Sequence, residues 1–244
     1  MNNVKLWLSF DGTDFHGFQR QDNGYTVQQA LEEAICKITE EKSCIFGCSR
    51  TDAGVHARTY CANFKTNSSI PIEKLPLALN TKLPESIRIN KAELDFDDFH
   101  ASFSAIGKTY EYIICNRSIL DPFISRYSWH YPKQLDYLKM NKASEYFIGE
   151  KDFSAFMATG GQAKTTVRNV YELILTENDG ILNIKISANG FLYNMVRIIV
   201  GTLIYCGNGK IDPLDIPEII LSKDRKRAGI TAPAKGLSLV NVYY

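Results

Sequence analysis

The chain has 244 residues, 45% hydrophobic and 23% charged, and a formal net charge of +1. This is the balance of a globular protein with a real core, and with a charge near zero any polyanionic partner must be held by local basic clusters. No run of about 18 apolar residues and no basic-then-apolar leader occurs, so neither a membrane nor secretion is indicated and a cytoplasmic location is expected. Cys36, Cys44, Cys48, Cys61, Cys115 and Cys206 form no C-x-x-C pair and read as reduced core thiols, not as a disulfide scaffold.

In chain order, residues 4–11 alternate, with Val4, Leu6, Leu8 and Phe10 on one face, as in a half-buried strand. The run DGTDFHGFQRQDNGY follows as a loop. Thr26 can cap a helix and Gln29 completes a capping box, after which Val27, Ala30, Leu31, Ala34, Ile35 and Ile38 recur at helical spacing. Residues 44–48 and the alternating Tyr60, Ala62 and Phe64 predict two further strands, joined by GCSRTDAGVHA. A helix over 72–80 and a strand over 87–94 complete the order β-α-β-β-α-β, the ferredoxin-like arrangement with helices on one face of a sheet.

The second half repeats that order with additions. A strand over 108–116, a helix over 135–148, and strands over 167–177 and Ile181–Ala188 around the turn Asn178-Asp179-Gly180 are followed by a helix over 190–205 and a last strand, Leu237–Tyr243. The expected fold is α+β. Two similar ferredoxin-like (RRM-like) halves, residues 1–100 and 101–244 joined within 97–106, form a pseudo-symmetric mixed, mainly antiparallel sheet with helices on one face and a central cleft.

Two stretches carry chemistry. In GCSRTDAGVHA, Arg50 and Asp52 are two residues apart and can project to one side, while Gly54 permits a tight turn and close approach to a ligand; a plain Asx-turn fits the same letters. The helix GFLYNMVRIIVGTLIY is apolar almost all round yet carries Arg197. A buried guanidinium needs an anion, and no acidic residue lies between Asp179 and Asp212. Its partner therefore comes from elsewhere in the chain or from a ligand, unless the arginine bonds helix carbonyls or snorkels to water. Tyr193, Asn194 and Gly201 would form a polar stripe beside it. Lys108, Tyr110 and Tyr112 alternate on one strand face, a pattern that suits either a core tyrosine ladder or base stacking with a phosphate contact. Lys164, Arg168 and residues 223–227 are further basic positions, which also suit a solvated face.

Taken together, FDGTDFHGFQRQ, TVQQALEEAI, GCSRTDAGVHA, DDFHASFSAIGKTYEY, ANGFLYNMVRIIVG and KGLSLV, in this order over nearly the whole chain, resemble the bacterial tRNA pseudouridine synthase A family. The resemblance implies an isomerase that converts uridine to pseudouridine at positions 38, 39 and 40 of the tRNA anticodon stem-loop, acting as a homodimer without cofactor or metal. It implies Asp52 as the catalytic nucleophile, Arg50 as the base-flipping arginine, Tyr110 as the stacking tyrosine, and Arg197 as the salt-bridge partner of Asp52. Lys108, Lys164 and Arg168 are the candidate tRNA contacts.

Ser49 departs from the glycine usual before the motif arginine, with Cys48 ahead of it, which bears on the φ preference of the loop. A non-catalytic RNA-binding module is the rival from another class, but the glycine-aromatic strand signature of that class is missing. Cys44, Cys48, His56 and Cys61 do not have the short-knuckle spacing of a zinc site. Residues 207–210, GNGK, lack the rest of a phosphate loop and read as a helix stop and turn. His56 is expected to be structural or an RNA contact, not a base.

Overall fold

A computed structural model describes residues 1–161 and 163–244. The chain forms two compact units, one of Met1–Ile106 with Ser238–Tyr244 and the other of Gly107–Leu237. The protein is α+β, with mixed, mostly antiparallel strand pairing in two similar halves. Among the described residues no helix is long and apolar enough to cross a membrane.

The first unit begins with β1 (Asn2–Phe10), whose Val4, Leu6, Leu8 and Phe10 are buried as the alternation predicts. Helix α1 (Val27–Thr39) buries Val27, Ala30, Leu31, Ala34 and Ile35. The Thr26 hydroxyl accepts from the Gln29 N–H at 3.2 Å, but only half of the capping box forms, because the Gln29 amide donates to Glu33 one turn on. Strand β2 shrinks to Phe46–Gly47, β3 runs His56–Thr66, α2 is Leu75–Asn80 behind a short 3-10 turn, and β4 is Ile87–Asp95. β1 pairs antiparallel with both β3 and β4, and β2 pairs antiparallel with β3, giving the order β4-β1-β3-β2 of a ferredoxin-like sheet.

One face of that sheet presents Leu6, Leu8, Tyr60, Ala62 and Phe64 to the core, and of the alternate residues Lys5, Cys61 and Asn63 are buried as well. Asn3 donates to the carbonyls of Phe96 and Phe99 at 2.7 and 3.0 Å, and Asn63 accepts the Ala101 N–H at 2.9 Å, so two buried amides tie residues 96–101 across the sheet. The Lys5 ammonium sits 3.1 Å from Asp95 and 4.4 to 5.3 Å from the Phe99, Tyr244 and Trp7 rings, a cation-π cage.

The second unit contains β5 (Gly107–Cys115), β6 (Trp129–His130), α3 (Tyr137–Glu145), β7 (Gly149–Asp152), β8 (Val167–Asn178), β9 (Ile181–Ala188), α4 (Met195–Gly207) and α5 (Ile216–Ser222). Its antiparallel order β5-β9-β8 repeats β1-β3-β2 of the first unit, with β7 added at the β8 edge and β6 parallel to β5. Asp179 and Gly180 both take positive φ, as a two-residue hairpin turn requires. The last strand, β10 (Leu237–Tyr243), returns to the first unit and pairs in parallel with β3 at Ser238–His56 and Leu239–Ala57.

Helix α4 starts later than the periodicity implies. Asn194 is left-handed at φ 59, so the helix begins only at Met195, with Tyr193 and Asn194 in a turn before it and residues 190–192 irregular. Tyr193 therefore lies outside the helix and is exposed, and Gly201 is buried against the Ile230 carbonyl, so the expected polar stripe reduces to Asn194 beside Arg197.

Candidate active site

In the first unit, residues 48–55 join β2 to β3. The Cys48 N–H donates to the Cys61 carbonyl at 2.9 Å, and the Tyr60 hydroxyl donates to the Ser49 carbonyl. Tyr60 is fully buried and stacks on Phe18 at 4.5 Å. Gly47 lies so close to this pair that a Cβ there would stand 2.3 Å from the Tyr60 oxygen. Ser49 has no positive φ, so a side chain costs no backbone strain at the position where the resembled family carries glycine. Arg50 is exposed, and among the described residues no hydrogen bond or ion pair holds it.

Asp52 is half-buried. Its carbonyl accepts from the Val55 N–H at 3.1 Å, closing a four-residue turn with Gly54 at φ 77 in the third position, where a type II turn needs glycine. The Gly54 N–H points to the Phe15 carbonyl at 3.4 Å. The Val55 N–H to Asp52 carbonyl bond is the main-chain closure of this turn.

The loop between β1 and α1 braces this turn, a role that the letters DGTDFHGFQRQ did not disclose. The Phe18 N–H donates to the Thr51 carbonyl at 3.1 Å, and a Cβ on Gly17 (φ 85) would stand 2.5 Å from that same oxygen. A Cβ on Gly12 would stand 2.0 Å from the Val55 carbonyl. The two glycines were the available signal: backbone lies directly on backbone at both. His56 is buried, with Nδ1 3.0 Å from the Gly12 N–H donor nitrogen and 3.1 Å from Asp11 Oδ1. Cys44 is exposed while Cys48 and Cys61 are buried, and among the described residues no three His, Cys, Asp or Glu side chains are grouped to hold a metal ion.

In the second unit, Arg197 is half-buried on α4. Its Nε donates to the Ala232 carbonyl at 2.7 Å and a terminal nitrogen donates to Asn194 Oδ1 at 2.7 Å. The segment supplying Ala232 is itself strapped to α4. The Gly229 N–H donates to the Thr202 hydroxyl at 2.8 Å, Arg225 donates to the Gly229 carbonyl at 2.8 Å, and the Ala232 N–H donates to the Arg197 carbonyl at 3.1 Å. Arg225 belongs to the basic run that reads from sequence as a solvated face; here it orders the strap.

On β5, Tyr110 is 6% exposed and meets Phe191 edge-on at 5.1 Å. Tyr112 is buried deeper, and its hydroxyl donates to the Pro233 carbonyl at 2.7 Å. Burial pushes that hydroxyl well above the usual phenol range, with the nearby Arg197 charge opposing. Lys108, two residues before Tyr110, is half-buried, and Lys164 is exposed. Arg168 spends one terminal nitrogen on the carbonyls of Thr165 and Val167, at 2.9 and 2.6 Å, and burial lowers its pKa. The structure thus brings Arg50 and Asp52 onto one loop of the first unit, and Tyr110, Tyr112 and Arg197 into one unit with the strap.

The family model described as tRNA pseudouridine synthase matches residues 7–104 and 143–244. The chain belongs to the tRNA pseudouridine synthase family. A protein named tRNA pseudouridine synthase A from Thermoanaerobacter sp. (strain X514) is 51% identical over 244 residues, the full length of both chains. One of the same name from Clostridium botulinum (strain Eklund 17B / Type B) is 53% identical, again over all of both chains. A solved chain from an H/ACA RNP bound to a substrate RNA containing 2'-deoxyuridine aligns with TM-score 0.44 and 11% identity, over 97% of this chain and 47% of that one. As a member of this family the enzyme is an isomerase that modifies RNA.

Proposed function

We propose that this chain isomerises uridine to pseudouridine at positions 38, 39 and 40 of the tRNA anticodon stem-loop, with Asp52 as the carboxylate that acts on the ribose. The observation that carries the reading is identity of 51 to 53% over full length with proteins named tRNA pseudouridine synthase A. It is supported by a half-buried Asp52 in a tight turn built on Gly54, and by an exposed Arg50 two residues before it.

The reaction breaks the C1′–N1 bond, turns the uracil, and rejoins it through C5; the C5 proton then leaves and N1 gains one. A retaining glycosidase needs two carboxyls, because its leaving group must be protonated and water must then enter. Here the delocalised uracil anion never leaves and is itself the returning nucleophile, so one aspartate suffices. In this reading Arg197 is the cation that pairs with Asp52 and keeps it ionised. Arg50 helps extrude the nucleotide at a cost of about a few kcal/mol, and Tyr110 stacks on the base. Lys108, Lys164 and Arg168 are assigned to the tRNA backbone.

The division of labour assigned here puts the aspartate loop in residues 1–100 and the arginine helix in 101–244. The enzyme works in the cytoplasm as a homodimer, without a metal or cofactor.

A site-mapped pseudouridine assay on tRNA transcripts tests the reading. Wild type is expected to modify the three anticodon-arm positions, and Asp52→Asn and Asp52→Ala to bind tRNA but yield no pseudouridine. Substantial turnover by Asp52→Ala would remove the assignment.

A further inference from the structure

We infer that His56 is a positioning residue for Asp52, acting through the main chain of Gly12. The inference rests on the reading of Asp52 given above and names what holds its loop in place.

His56 opens β3 directly after the Asp52 turn, and at 3% exposure its ring is closed to RNA. The Gly12 N–H is aimed at Nδ1 from 3.0 Å, so Nδ1 is the acceptor there and the ring proton sits on Nε2. Asp11 Oδ1 is 3.1 Å from the same Nδ1, and it also takes the Thr13 N–H at 2.9 Å and the Thr13 hydroxyl at 2.5 Å. The ring therefore grips one end of the 11–13 turn while the Asp11 carboxylate closes the other.

What this grip positions is the Asp52 turn. Gly12 is pressed on the Val55 carbonyl, and Val55 is the residue whose N–H closes the turn on Asp52. From Gly12 the braced loop runs on to Phe15, which receives the Gly54 N–H, and to Phe18, which donates to Thr51. The main-chain bonds around Asp52 thus include one inside the turn, from Val55, and two between residues 51–54 and the loop that His56 anchors at Gly12. The His56 backbone is meanwhile fixed by parallel pairing with Ser238 on β10, so the anchor stands on the sheet. What the side chain offers here is an acceptor at the Nδ1 position for the Gly12 N–H, from a ring that is itself buried.

The test compares His56→Asn with His56→Gln in the full-length enzyme. Asparagine places a carbonyl oxygen near the site of Nδ1, and glutamine places its amide one bond further out, near Nε2. Both variants are polar and uncharged, so bulk solvation of the site is matched. His56→Asn is expected to keep single-turnover kcat near wild type, and His56→Gln to lose about tenfold to a hundredfold, the scale of a misplacement near 1 Å, with KM and tRNA affinity unchanged in both. Melting temperatures are recorded alongside. Equal kcat in the two variants, or a loss in His56→Gln that follows the fraction unfolded, would overturn the inference. Asp52→Ala is assayed in parallel. An inactive Asp52→Ala beside a fully active His56→Gln removes only the positioning role, whereas an active Asp52→Ala removes the reading of Asp52 and the inference with it.

Discussion

Replacing Gly201 by alanine sets two effects of opposite sign against each other. Gly201 lies inside α4 with no positive φ, so alanine should gain about 0.8–1 kcal/mol of helix propensity. The added Cβ, however, would stand 1.8 Å from the Ile230 carbonyl oxygen, and 2.8 Å from its carbon. Ordinary contact begins near 3.4 Å, so backbone must move by more than an ångström on one side or the other. Gly229 cannot give way on the strap side, since its own Cα faces the Thr202 nitrogen and the Gly201 carbonyl. Overpacking of this kind costs roughly 1–3 kcal/mol and more where backbone is the obstacle. The clash wins, with a net loss of about 1–2 kcal/mol, which for a chain of this size lowers Tm by about 2–8 °C. The displaced strap also carries the Ala232 carbonyl away from Arg197 Nε, so activity falls further than stability does. Thermal melts and single-turnover pseudouridine formation on the folded fraction read both effects. A Tm equal to or above wild type, the usual result of filling an open helical glycine, would refute the packing argument.

Two further outcomes follow from the electrostatics. Burial alone would raise the Asp152 carboxyl, but hydrogen bonds from Lys223, Thr166 and Ser154 outweigh it and hold the group well below the usual carboxylate range. A depressed carboxyl contributes stability above its unfolded pKa of about 3.9 and loses it as pH falls toward the folded value. Asp152→Asn should therefore lower the urea midpoint at pH 7, with the gap to wild type shrinking below about pH 4; a gap independent of pH would contradict this. Burial pushes the Cys61 and Cys206 thiols up to about 12, while Cys44 is exposed. Under native conditions at pH 8 a thiol reagent should modify Cys44 first and reach Cys48, Cys61, Cys115 and Cys206 only on unfolding, as peptide mapping would show.

The elements that sequence disclosed are those with a long, clean period. β1, β9 and β10 declared themselves by alternation, α1 by its apolar spacing and cap, and the hairpin by Asn178-Asp179-Gly180. Two-residue strands such as β6 carry no period, and β7 has only four residues. The start of α4 was illegible for another reason: the residues before Asn194 are as apolar as those after it, and only the left-handed backbone at Asn194 ends the run. The Asp52 loop drew attention because arginine, aspartate and glycine stand together in one short run, which a plain turn suits as well, and its catalytic reading came from the family resemblance. Its brace was missed because the loop from Gly12 to Phe18 works through main-chain atoms, which every residue type carries. Arg197 was flagged as a buried cation in want of an acid; it is half-buried, and its bonds to the Ala232 carbonyl and the Asn194 amide go to residues no charge count would pick out.

The place of the last strand bears on how the enzyme is made. Ser238–Tyr244 completes the first unit, but the ribosome reaches it only after the second, about 130 residues later and at 5–20 residues per second on the order of ten seconds later. During that interval the β3 edge at His56 and Ala57 lacks β10, and Ala101 and Ile106 lack Tyr244 and Tyr243. A nascent first half is thus an open-edged sheet, exposed to proteases and to pairing with other chains. Translation that stops early yields a fragment carrying residues 48–55 without the strand that pairs beside them, so only a chain translated through β10 closes the β3 edge at His56 and Ala57.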